Sequence, residues 1–86
     1  MNKDPQVKLY GTARCHKTNY YKELLEGVKQ PYQFLDVEEN KVYAEELKHL
    51  YVNRKLNFPT ITIGTKKLRN PYKEELFKWL NKLIAK

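Results

Sequence analysis

Apolar residues recur along this chain at two alternating periods. Val7-Lys8-Leu9-Tyr10 is a short β-prone run behind a polar leader, and Gly11-Thr12-Ala13-Arg14 breaks it. From about Cys15 to Val28 the period becomes helical, with Tyr21, Leu24, Leu25 and Val28 on one face. Gly27 near the end and Pro31 beyond it predict the stop. Tyr32 to Val37 reads as a second strand. Asn40 offers an N-cap to a second helix, whose apolar stripe is Val42, Tyr43, Leu47, Leu50 and Tyr51. Asn53 to Asn57 is a polar connection. After Phe58-Pro59, the run Thr60-Ile61-Thr62-Ile63 alternates strictly, as a half-buried strand does. Gly64-Thr65 predicts a turn, and Lys66 to Leu68 a hairpin partner. Asn70 as N-cap and Pro71 as first helical residue predict the last helix, with Leu76, Phe77, Leu80, Leu83 and Ile84 on its apolar face.

The predicted order is β-α-β-α-β-β-α. The first β-α-β unit implies parallel strands joined by a right-handed crossover, and the last two strands form a hairpin. The economical packing is an α/β domain, with a mixed four-stranded sheet covered by three helices. With 86 residues, no internal repeat and no linker rich in Gly, Ser or Pro, residues 1–86 read as a single domain.

Composition adds little to this picture, but charge and cysteine count add more. No apolar run approaches the length of a membrane span, and the leader is polar, unlike a signal peptide. A single cysteine leaves no internal disulfide, which agrees with a cytoplasmic protein, and it raises either intermolecular pairing or a free reactive thiol. A monomer away from membranes is the expectation. The net charge of +7 favours anionic partners. The lysines are scattered along the chain rather than gathered in a tail, and a solvated surface is their ordinary reading. Tyr20, Tyr21, Tyr43 and Tyr51 fall on predicted helices, where core packing accounts for most of them. Nucleic acid is therefore not the expected partner.

Cys15 carries the candidate chemistry. It follows the first strand after a short loop and opens the first helix, where unpaired N–H groups and the positive dipole end favour a thiolate. Arg14, His16 and Lys17 flank it with cationic or potentially cationic groups. Both effects lower a cysteine pKa, and the thiolate is the species that attacks disulfides. A small buried cysteine is the inert alternative, but the segment Thr12 to Thr18 is too polar for a core. No metal is expected, because there is no second cysteine and His16 is adjacent rather than at ligand spacing.

Val7-Lys8-Leu9-Tyr10, Cys15-His16-Lys17-Thr18, Asp36-Val37 and Phe58-Pro59 before Thr60-Ile61-Thr62-Ile63 together resemble the glutaredoxin family of the thioredoxin-like fold. The resemblance runs from about Val7 to Leu83. It implies that Cys15 is the nucleophile and that Pro59 is cis and faces it. The backbone of Phe58 would then be exposed for pairing with a bound peptide or glutathione.

The chain departs from the family in two places. Thr18 stands where dithiol members have a second cysteine, giving a monothiol C-x-x-T motif. Any redox cycle must then pass through a mixed disulfide between Cys15 and an external thiol, with glutathione the expected co-substrate. The Thr18 hydroxyl would donate to the Cys15 thiolate, or else bond its own helix backbone. His16 would protonate a leaving thiol or be a solvated helix residue, and Lys17 would favour the thiolate. The second departure lies in glutathione recognition. Thr12 replaces a lysine common in the family, and Leu68-Arg69-Asn70-Pro71 replaces a Gly-Gly pair and an aspartate. Arg69 with Asn70 and the start of the last helix would hold a carboxylate instead. Arg54 and Lys55 are further charge partners or plain surface.

The expected function is a glutaredoxin-like thiol–disulfide oxidoreductase acting on glutathione or protein disulfides. One alternative is a redox-inactive or weakly active binding module for an acidic protein or nucleic acid. Another is a glutathione-ligated iron–sulfur dimer, although the Cys-Gly-Phe-Ser motif of that group is absent.

Overall fold

A computed structural model describes residues 5–84. The first four residues of the polar leader and the last two of the expected domain lie outside the described residues. Seven elements follow in the expected order: β1 (Val7–Gly11), α1 (His16–Gly27), β2 (Gln33–Asp36), α2 (Lys41–His49), β3 (Thr60–Ile63), β4 (Lys66–Arg69) and α3 (Lys73–Leu83). They build one four-stranded sheet in the spatial order β2-β1-β3-β4. β1 and β2 are parallel, while β3 runs antiparallel to both β1 and β4. Among the described residues, no helix is long and apolar enough to cross a membrane.

Strand alternation divides the core into two layers. Val7, Leu9, Ile61, Ile63 and Leu68 face α1 and α3, where Tyr21, Leu25, Leu76 and Leu80 meet them. Tyr10 and Leu35 face the other way, onto Leu47 of α2 and Val37. Fully burying a leucine such as Leu47 or Leu76 stabilises the fold by about 1.5–3 kcal/mol. β3 is central, so all four of its residues are buried rather than the alternate two that its pattern suggests. Thr60 is accommodated on the α2 side because its hydroxyl donates to the Asn57 carbonyl at 2.5 Å and lies 2.8 Å from the Tyr51 hydroxyl.

Helix ends depart from the sequence reading for local reasons. Cys15 is the N-cap of α1 rather than its first helical residue. At the other end Lys29, not Gly27, takes the left-handed backbone, with φ 57°. Its N–H reaches the Glu26 carbonyl at 3.1 Å, and the Gln30 N–H reaches Leu25 at 2.9 Å. Val28, just past the last turn, is 52% exposed instead of lying on the buried face. Val42, in the first turn of α2, is likewise exposed. Asn40 caps α2 as expected, accepting from the Val42 N–H at 2.8 Å.

Asn70 and Pro71 do not open α3, whose N-cap is Tyr72. Asn70 has φ 49°, and its N–H donates to the Pro59 carbonyl at 3.0 Å. That bond prolongs the β3–β4 ladder by one step and delays the helix. Glu74 and Glu75 in the first turn of α3 complement its dipole.

Candidate active site

One end of the sheet gathers the candidate residues into a row. Gly11 pairs with Asp36 of β2, and Tyr10 pairs with Thr60, which sets Gly11 beside Pro59. The bond from Asn70 to Pro59 continues the row across β4. The Phe58–Pro59 peptide is cis, the form expected. Cys15 follows Gly11 by a three-residue loop and stands at the head of α1, as its N-cap residue.

That loop is pinned to the helix it precedes. The Cys15 N–H donates to the Thr12 carbonyl at 3.2 Å, and the Asn19 side chain donates to the Ala13 carbonyl at 3.1 Å. The Thr12 N–H approaches Thr18 Oγ1 at 3.4 Å. Thr18 is wholly buried and close against Gly11, where any side chain would collide with it. Its hydroxyl therefore serves the loop and the thiol rather than its own helix backbone.

Partial burial pushes the Cys15 thiol up. The N–H and hydroxyl of Thr18, the N–H of Lys17 and the Lys17 charge outweigh it, and the net pKa lies below the ordinary 9.0. Arg14 does not contribute as its sequence position suggests. Its guanidinium turns to Glu38 in the β2–α2 connection, with Nε 3.1 Å from Oε1 and Nη2 against Oε2. His16 is exposed on the first turn of α1, and its ring makes no hydrogen bond among the described residues.

Tyr21 is a site residue that the apolar pattern concealed. Its ring belongs to the core, while its hydroxyl lies 2.5 Å from the Pro71 carbonyl and 3.1 Å from Asn70 Oδ1. It thereby ties α1 to the β4–α3 loop, six residues after Cys15. Phe58 is 40% exposed beside the buried Pro59. Among the described residues, nothing hydrogen-bonds its backbone. Leu68 is buried towards α1 and α3, so alternation puts Arg69 on the α2 side with Lys67, away from the start of α3. Arg54 and Lys55 are exposed in the loop before Asn57. Among the described residues, no three His, Cys, Asp or Glu side chains converge to hold a metal.

A four-stranded mixed sheet with α1 and α3 on one face, α2 on the other, a cysteine at the N-cap position of α1 and a cis-proline leading into β3 define a thioredoxin-like protein. The glutaredoxin family model matches residues 7–68, and the chain belongs to that family, whose general activity is thiol–disulfide oxidoreduction. Similar solved structures show the same fold. A mutant of the thioredoxin-like protein BC3987 is 24% identical with TM-score 0.76, covering 88% of this chain and 100% of that one. The glutaredoxin grx-1 from Archaeoglobus fulgidus is 17% identical with TM-score 0.73, covering 92% and 85%. A glutathione transferase homologue from Drosophila mojavensis, solved with bound glutathione, is 17% identical with TM-score 0.64, covering 95% of this chain and 36% of that one. No curated protein sequence matches the chain.

Proposed function

We propose that the chain is a monothiol glutaredoxin that reduces mixed disulfides through Cys15. The carrying observation is the Cys15 thiol, held below its ordinary pKa by the N–H groups and hydroxyl at the head of α1. With no second cysteine in the chain, turnover needs an external thiol. The Cys15 thiolate attacks the glutathione sulfur of a protein–glutathione disulfide. A Cys15–glutathione disulfide forms, and the protein leaves as a thiolate that takes a proton from solvent or His16. A second glutathione thiolate then attacks the adduct, releasing glutathione disulfide and the Cys15 thiolate. The net exchange consumes one glutathione thiol per protein–glutathione disulfide and yields the protein thiol and glutathione disulfide.

Binding falls to the groups around the thiol. The exposed Phe58 backbone pairs with the extended tripeptide, and Lys17 faces the entering anion. The carboxylate end meets Asn70 and the free N–H groups at the start of α3. The glutathione-bound homologue of the same fold supports this choice of co-substrate.

Mass spectrometry after incubation with oxidised glutathione tests the reading. One adduct on the wild-type chain, none on Cys15→Ser, and its release by reduced glutathione are the expected results. An unmodified wild-type chain overturns it.

A further inference from the structure

The cations of this chain are spread along it, but the acids are not. Residues 1–46 hold seven lysines and arginines against eight acids, whereas residues 47–86 hold ten against only Glu74 and Glu75. The second half thus carries the whole positive excess, and its described residues run from the end of α2 through the loop before β3 and the hairpin β3–β4 into α3. β4 is an edge strand of the sheet. Its residues throw their charges to both faces. On one face Lys66 Nζ lies 4.1 Å from the centre of the Trp79 ring, with Lys78 and Lys82 each at 5.4 Å. On the other face Lys67 Nζ lies 4.2 Å from the Tyr51 ring and donates to the Leu50 carbonyl at 2.6 Å. Among the described residues, none of these four lysines forms an ion pair with an acid. The strand ends at Arg69, next to the row that holds Pro59 and Gly11.

We infer that the β4 edge, from the Trp79 cluster to Arg69, is a docking surface for an extended acidic segment of a protein partner, which it leads towards Cys15. Charge complementarity selects a polyanion, since ammonium groups gathered on one ring without carboxylates repel one another until an anion arrives. The rings decide which polyanion. Trp79 and Tyr51, the rings among these lysines, are half-buried in core packing and already covered by lysine heads, so neither offers a bare face to a stacked base. The ammonium groups are held in place for carboxylates. The free N–H and C=O groups on the outer side of β4 accept an added strand, and the lysines that repel a like edge attract an acidic one. Continuity with the candidate active site makes the partner a substrate. That last step rests on the thiol chemistry proposed above, whereas the docking itself does not.

Cys15→Ser protein separates the two. It is titrated with a peptide of about ten glutamates, a glutamine peptide of the same length and an oligothymidylate of matched charge. Binding is read from backbone amide shifts and from Trp79, the single tryptophan. The glutamate peptide is expected to shift the amides of Lys66–Arg69, to perturb Trp79 fluorescence and to bind roughly tenfold more weakly when salt rises from about 50 to 200 mM. The triple variant Lys66→Gln, Lys78→Gln, Lys82→Gln is expected to lose about tenfold or more in affinity, and Lys29→Gln with Lys41→Gln to lose none. If the triple variant is misfolded, Lys78→Gln alone serves, with a smaller loss. Absence of saturable binding at low salt, equal loss in the control variant, or tighter binding of the oligothymidylate overturns the proposal. Failure of the wild-type chain to form a glutathione adduct would overturn the thiol chemistry and leave this binding intact.

Discussion

Gly11 and Thr18 touch because Gly11 has no side chain: a Cβ there would collide with the Thr18 hydroxyl and come within 2.8 Å of its Cγ2. Thr18 is wholly buried and β-branched, so it cannot swing aside. The Gly11→Ala change is therefore expected to push Thr18 off the Thr12–Cys15 loop. A loss of about 1–3 kcal/mol in denaturant unfolding follows from the overpacking. The Cys15 pKa should rise in the same variant, read by alkylation rate against pH.

Thr18 itself separates packing from hydrogen bonding. In Thr18→Val the shape is kept, but the hydroxyl that serves Cys15 and Thr12 is lost. The thiol pKa rises and stability falls by about 1–2 kcal/mol, because the buried Thr12 N–H is left without its acceptor. Thr18→Ser keeps the hydroxyl and should hold the pKa near the wild-type value. Equal pKa values in the Val and Ser variants would remove Thr18 from the account.

Tyr21→Phe removes only the hydroxyl that meets Pro71 and Asn70. A loss of about 0.5–1.5 kcal/mol in thermal unfolding is expected, with faster hydrogen exchange at Asn70 and Tyr72. Cys15 alkylation should not change, because the loop that Tyr21 holds is separate from the groups that stabilise the thiolate.

Two kinds of group set the pH dependence of stability, with opposite signs. The Cys15 pKa is lowered on folding, so its stabilisation is full above 9.0 and is lost as pH falls through the folded value. The stability difference between wild type and Cys15→Ser should thus grow as pH rises towards 9.0. Tyr10, Tyr21 and Tyr32 are each pushed from 10.0 up to about 12, chiefly by burial. Glu46 adds to the effect at Tyr10, and Glu26 at Tyr32. Their stabilisation is full below 10 and is lost as pH climbs towards 12. Tyrosinate absorbance of the native chain should show these three ionising late, and Tyr10→Phe should flatten the alkaline loss.

Much of this architecture is legible in the sequence, because strict alternation in Thr60–Ile63 and the helical spacing of Leu76, Phe77 and Leu80 each allow one element. What the sequence conceals depends on contacts between distant residues. Asn70-Pro71 has the composition of a helix start, yet the bond from Asn70 to Pro59 keeps it in the sheet. Arg14 stands beside the cysteine in sequence, yet Glu38, 24 residues away, takes its charge. Tyr21 satisfies the apolar pattern with its ring, and nothing local reports where its hydroxyl goes. Cys15 and Thr18 are the exception, since a single helix turn brings them together.

The head of α1 favours Cys15 as a thiolate. Because Cys15 is the sole cysteine, thiolate absorbance near ~240 nm titrates it alone once Cys15→Ser is subtracted. The expected midpoint lies below 9.0 and moves up in Thr18→Val. A midpoint at or above 9.0 in the wild-type chain would contradict it.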